Sequence, residues 1–361
     1  MRPAAGISYV RLVPLLLLNF AVEMIQETRH IDFHLPTGWN QCTTDELEVI
    51  AAAIALDTLR ADRYHPFDMQ AVKLKILLGI NHLQVIEHIG DSSGVNTSLS
   101  HTEPSPADDA YLVRLMGVGR SWWHRLFKRQ PQEEPFEITA EQLYSMTESH
   151  LAWLDDEKAE PLMRVPYPTL KIGRKTLDGP TPYLDGYTWQ QYRYLQDWMQ
   201  EYIKYTNAIS RMQRRDTAKL AELAMKAAQA EAEFLAVLFQ RSGRNNGITE
   251  SRNNDTLDAA LFAGFDPVKW QVILFWWSGL MRYLQKKYPR CFKPEKPGKR
   301  QRRSNPLELY VRTTATMEKY IGLNEEEVNR QSFHVILQHL DDMAREAEEM
   351  ERLNKKYKSK H

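Results

Sequence analysis

Apolar residues at helical spacing dominate this chain, and the clearest run is Leu195, Trp198, Met199, Tyr202 and Tyr205, the i, i+3, i+4, i+7 and i+10 positions of one stripe. The run belongs to an aromatic-rich helix that begins near Tyr187 and takes in Trp189, Tyr192 and Tyr194. Helical character returns from Ala218 to Phe239, a stretch rich in Ala, Glu, Lys and Leu. Rings at this spacing point to packing or partner binding rather than to a polar reaction centre. Tyr187, Tyr192 and Tyr205, off the stripe or at its ends, are the expected partner contacts. After the polar stretch from Arg241 to Asp255, Asp266 caps a helix with Pro267 in its first turn. Trp270, Ile273, Leu274, Trp277, Leu280, Met281 and Leu284 make that helix apolar on several faces, which predicts deep burial.

The N-terminal part shows the same period. Thr43 and Glu46 form a capping box ahead of Leu47, Ile50, Ala51, Ile54 and Ala55, predicting a helix over about 44–62. Thr58 takes the next place on that stripe, leaving Leu59 to carry the packing there. A second helix starts near Asp68, carries Val72, Ile76, Leu77 and Ile80, and is expected to run on through Leu83 and Ile86 despite Gly79. Ile31 to Pro36 alternates as a short extended lead-in, and Gly90 to Asp109 reads as a loop. Thr139 and Gln142 open a further helix to about Leu154. Prolines and glycines between Pro161 and Gly186 predict an extended or hairpin connector.

Pro306 opens a final helical pair, with Gly322 between its members and Asn324 with Glu327 capping the second. Phe333, Ile336, Leu337, Leu340, Met343, Ala344, Ala347, Met350 and Leu353 follow at nearly heptad spacing. That stripe suits a contact with another subunit or docking on its own domain. Leu340, Met343 and Met350 are the residues expected to make such a contact.

These elements predict a mainly α fold, a multi-helix bundle in two or three units with a short extended or hairpin segment near 161–186. The expected divisions are an N-terminal segment 1–30, a helical unit 31–115, a connector with one helix 116–186, a central aromatic-rich domain 187–295, a basic linker 296–305 and a C-terminal pair 306–361. A length of 361 residues with 43% hydrophobic content supports more than one core.

Lys+Arg and Asp+Glu both number 47, so no overall field draws the chain to nucleic acid or an acidic membrane. Cys42 and Cys291 read as two free thiols in a reducing compartment. Near the start, Arg2 and Arg11 precede the apolar run from Leu12 to Val22, which is too short for a membrane span of about 20 residues. The run reads as an extension ahead of a true start at Met24, as an ordinary N-terminal element, or as a signal-like core without a clear cleavage site. No transmembrane segment is expected.

Motifs for chemistry are weak. His82 and His88 are six apart and His334 and His339 five apart, neither being the four-residue spacing that converges two rings on one face. Gly117-Val118-Gly119-Arg120 lacks the third glycine and the Lys-Ser/Thr ending of phosphate-binding loops. Asp155-Asp156-Glu157 and Glu325-Glu326-Glu327 read as a solvated helix end and a dipole-favoured first turn. No Gly-x-Ser-x-Gly elbow occurs and neither cysteine has a nearby histidine. The expectation is a non-enzyme without cofactor or metal.

Two local basic segments complete the reading. Ser121 to Arg129, with Trp122, Trp123 and Phe127, is amphipathic and reads as packing on a neighbouring helix, with membrane-surface contact the other reading. Nine bases against Glu295 between Lys286 and Arg303 make a tract suited to phosphates, with Lys299, Arg300, Arg302 and Arg303 as contacts and Tyr288 and Phe292 for stacking. A nucleic-acid-associated protein is therefore the alternative reading, against a solvated linker that balances the acidic last helix.

Three blocks occur in order: Leu35-Pro36-x-x-Trp39 with the helix from Thr43 to Leu59, the aromatic helix with its continuation to Leu238, and Trp276-Trp277 through Tyr288-Pro289 and Phe292. Together they resemble uncharacterised tail-region proteins encoded by prophages and related mobile elements of gut bacteria. The resemblance covers about two thirds of the chain, leaving 90–135 and 241–255 without counterparts. It implies a non-catalytic role in tail assembly, as a structural protein or a chaperone that covers a helical tail partner such as a tape-measure protein. It also implies residence in the host cytoplasm or in a virion.

Overall fold

The computed structural model describes residues 35–60, 67–89, 110–115, 136–156, 158–212, 216–241, 259–292 and 306–358. The run before Met24, the loop from Gly90, the segment with Trp122 and Trp123, and Lys299, Arg300, Arg302 and Arg303 lie outside the described residues. The described chain is mainly helical, with two small three-stranded antiparallel sheets. It divides into two compact units, 1–160 and 161–361.

In the first unit α1 (Thr44–Arg60) is capped as its sequence predicts: the Thr43 amide donates to Glu46 Oε2 at 2.5 Å and the Glu46 amide to Thr43 Oγ1 at 3.3 Å. Leu47, Ile50 and Ala51 are fully buried. The stripe ends differently from expectation. Asp57, not Thr58, occupies the buried place, where it accepts the Asp68 amide at 3.0 Å and Lys75 Nζ at 3.1 Å. This carboxylate therefore ties the end of α1 to the start of α2 (Met69–Ile80).

The second helix stops at Ile80 instead of continuing through Leu83 and Ile86. Asn81 caps it, His82 takes a left-handed φ of 53°, and the chain turns into β1 (Leu83–Ile89). Val85, Ile86 and Ile89 favour the pleated backbone over a further turn of helix. Gly79 has a packing role, since a Cβ there would lie 2.6 Å from Val49 Cγ1 on α1. β1 pairs with β2 (Ala110–Leu115), which pairs with β3 (Phe136–Thr139). That sheet joins 110–115 and 136–139 to the first unit, where sequence placed a division at 115. Thr139 ends β3 and caps α3 (Ala140–His150) through the predicted box with Gln142; a short 3-10 turn, Ala152–Leu154, follows. Trp153 donates to the Pro36 carbonyl at 2.9 Å and stands edge-on to Trp39 at 5.1 Å, fixing the Leu35-Pro36 lead-in.

The second unit opens with the expected hairpin, β4 (Thr169–Ile172) and β5 (Lys175–Asp178), turning at Gly173 with φ 58°. β6 (Gln240–Arg241) adds to β5, so 161–186 belongs with the aromatic helices and not with a connector. Thr188 and Gln191 cap α4 (Trp189–Arg211), which packs as a hairpin on α5 (Thr217–Leu238). α6 (Pro267–Lys287) is as buried as its sequence implies: Trp270, Ile273, Trp276, Trp277, Leu280 and Leu284 are all core. Its rings interlock with the hairpin, Trp270 edge-on to Tyr202 at 5.1 Å and Phe234 edge-on to Trp277 at 5.1 Å.

The C-terminal region holds three helices where two were expected. α7 (Pro306–Ile321) ends at Gly322; α8 (Glu325–Arg330) has the predicted Asn324 box; α9 (Phe333–Lys358) starts anew. The break has a main-chain cause. The Trp189 amide donates to the Gln331 carbonyl at 2.7 Å and the Phe333 amide to the Tyr187 carbonyl at 3.2 Å, so 331–333 pairs with 187–189 as a short bridge. Such pairing needs an extended Gln331, which has ψ 152°.

Candidate functional site

The structure reassigns two of the expected contact tyrosines. Tyr187 is 1% exposed, and its hydroxyl donates to the Leu238 carbonyl at 2.5 Å, satisfying a helix-end acceptor inside the core. Tyr192 is 4% exposed and stacks on Phe333 at 4.6 Å and on Trp189 at 5.9 Å. The buried line of α4 runs through Tyr192, Leu195 and Met199, so Tyr192 belongs to the stripe from which sequence excluded it. Tyr205 remains half-exposed, with Lys204 Nζ 4.9 Å from its ring.

Tyr288 is likewise core, not a stacking platform. Its hydroxyl meets His334 Nδ1 at 3.1 Å, while His334 Nε2 meets the Tyr183 carbonyl at 3.1 Å. A carbonyl only accepts, so Nε2 carries the proton and Nδ1 accepts from Tyr288. Burial first, then Lys287, holds the imidazole below the usual histidine range. Both ring nitrogens are occupied, which leaves no lone pair for substrate or metal. The contact instead braces Tyr183 and Leu184, whose φ values of 58° and 59° are left-handed and costly for residues with a Cβ.

Lysine 73 is the charged group that sequence missed. It falls within the apolar stripe of α2, its side chain 1% exposed, and Nζ lies 2.5 Å from Asp155 and 3.2 Å from Glu148. Asp155 therefore anchors a buried cation and does not simply face water. Burial pulls the ammonium down, but the bonds to Asp155 and Glu148 outweigh it and hold the lysine above its ordinary range. Gln70 first, then Lys73, holds Glu148 below the usual carboxylate range. With both carboxylates half-exposed, the cluster is a strut between α2 and the end of α3.

The thiols are quiet. Cys42 is buried and donates to the Gly38 carbonyl at 3.5 Å; Cys291 donates to the Leu337 carbonyl at 3.3 Å and is pushed up to about 11, by burial and then Asp341. Among the described residues no three His, Cys, Asp or Glu side chains converge as a metal site, and no helix is long and apolar enough to cross a membrane.

The start of the basic tract is built into the fold. Lys286 and Lys287 close α6, and Arg290 engages the last helix: its amide donates to Asp341 at 2.7 Å, its guanidinium to Asp341 and to Glu348 at 3.2 Å each. Asp341 is 7% exposed, so it serves as an anchor for α9.

Beyond that anchor α9 changes character. Its first turns put Phe333, Ile336 and Leu337 in the core, and Leu340 and Met343 are half-buried. Residues 345–357 are exposed without interruption. Along them Met350 is 61% exposed, Leu353 40% and Tyr357 68%, at the i, i+3 and i+7 positions of one face. Sequence singled out Met350 but not Tyr357, although the same seven-residue step from Met343 reaches both. Among the described residues of the second unit, this face sets three exposed large apolar side chains in a row on one helix, and it is the candidate site. The chain matches no family model, no curated protein and no solved structure.

Proposed function

We propose that this chain is a non-catalytic binding protein that uses the distal face of α9 to meet another helix, in the setting of phage or prophage tail assembly implied by the resemblance. The reading is carried by one observation: Met350, Leu353 and Tyr357 stand exposed on one side of a helix whose root is held by Arg290, Asp341 and Glu348. A rigidly rooted amphipathic helix is the usual equipment for helix-to-helix recognition. The rings of the central hairpin support the fold; the apolar row on α9 supports association.

Copurification with the products of neighbouring genes tests the reading. A helical tail protein of the tape-measure kind should be retained by the native chain and lost from Met350→Glu/Tyr357→Glu, whose helix content should match the native. Absence of any stable complex, or a complex indifferent to the double variant, overturns it.

A further inference from the structure

We propose that the distal half of α9 pairs antiparallel with the same segment of a second copy of this chain. The inference rests on reading that face as an interaction surface and names its occupant in the free chain, which a helical partner binding through Met350 and Tyr357 displaces. Two seven-residue series run along the helix: Phe333, Leu340, Ala347 and Asn354, and Ile336, Met343, Met350 and Tyr357. These are the a and d places of a two-stranded coiled coil. The first members of each series, Phe333 and Ile336, are fully buried in their own unit. The later members continue the same pattern onto the exposed stretch, so the periodicity outlasts the core that it serves.

Charge decides the orientation and the partner. Residues 341–351 carry six carboxylates against Arg345, and Arg290 meets two of them, Asp341 and Glu348, so the block stays acidic with one more cation counted; 352–361 carry Arg352, Lys355, Lys356, Lys358 and Lys360 with no acid. A parallel pair would lay acid on acid and base on base. An antiparallel pair lays each block on its opposite, and only a second copy brings the matching split in reverse order by construction. Ala347 and Asn354 make the seam narrow. Association is therefore weak and salt-sensitive.

Sedimentation of the full chain over a range of concentrations tests this. The expected result is a monomer–dimer equilibrium that weakens as salt is raised. It should be lost in Lys355→Glu/Lys356→Glu/Lys358→Glu and in Glu346→Lys/Glu349→Lys/Glu351→Lys, and regained when the two variants are mixed. These side chains are exposed or terminal, and circular dichroism of each variant confirms that the helix is kept. A monomer at every concentration, or a dimer unmoved by salt and by both charge reversals, overturns the pairing. A native chain that stays monomeric yet still captures a helical tail protein through Met350 and Tyr357 refutes the self-pairing alone, whereas a dimer with no tail partner refutes the proposed function alone.

Discussion

Replacing Gly279 by alanine sets two effects of opposite sign against each other. In an exposed helix interior the change adds about 1 kcal/mol, because glycine is the poorer helix former. Gly279 is buried in the middle of α6, and a Cβ there would lie 2.3 Å from the Leu162 carbonyl oxygen, 3.1 Å from its carbon and 3.3 Å from its nitrogen. All three are main-chain atoms, so no rotamer change relieves the overlap. Leu162 is itself 2% exposed, and moving its backbone by about an ångström disturbs a second core position. Overpacking of this kind costs roughly 1–3 kcal/mol, and a main-chain obstacle belongs at the top of that range. The net expectation is a loss of about 2 kcal/mol. Urea unfolding followed by tryptophan fluorescence measures it directly, since Trp276 and Trp277 lie within one turn. The exposed neighbour Ser278→Ala serves as a control and should change stability by no more than about 0.5 kcal/mol. A Gly279→Ala protein as stable as the native or more so would refute the close approach of α6 to Leu162.

Three further outcomes follow from named contacts. Lys73→Met should cost about 1–2 kcal/mol, less than a sealed ion pair because both carboxylates are half-exposed. The Lys73 contribution is present at neutral pH and is lost as pH rises above the ordinary lysine range; that of Glu148 is lost as pH falls below the ordinary glutamate range. The gap between native and variant in chemical denaturation should thus be flat at intermediate pH and narrow at both extremes, and a gap that widens at high pH contradicts the ion pair. Tyr187→Phe should lower stability by about 1–2 kcal/mol by stranding the buried Leu238 carbonyl, as read by thermal unfolding. His334 is held below its ordinary value, so its contribution is full above the unfolded histidine value of about 6.5 and falls as pH drops through the lower folded value. Denaturation midpoints between pH 7 and pH 5 should decline less steeply for His334→Gln than for the native chain; equal slopes would remove His334 as the titrating brace.

Helices were the legible part of this sequence because their signals are local. The boxes at Thr43, Thr139 and Asn324 each need only a hydroxyl or amide and a partner three residues on, and all three cap helices in the structure. Strands were harder to read: β1 extends a helical pattern from Ile80, and its identity depends on a partner at 110–115 that no local spacing announces. The break at 331–332 has the same origin, a main-chain pairing with 187–189 that leaves no mark on side-chain periodicity. Tyr192 misled for a related reason. An aromatic ring three residues before the first member of a stripe is core or surface depending on what lies opposite, and here Phe333, 141 positions downstream, closes over it. For the candidate site, the Met343 to Met350 step was visible, whereas the point at which α9 leaves its unit is set by Arg290 reaching Asp341 and Glu348 across the fold.

The bridge between 187–189 and 331–333 has an evolutionary consequence. The start of the last helix is fixed by amide and carbonyl groups, which every residue but proline supplies alike. Substitutions along the outer face can therefore accumulate without changing where the helix begins. Where the last helix begins and which side chains its outer face carries are thus set by different parts of the sequence, and the second is free to vary while the first is held.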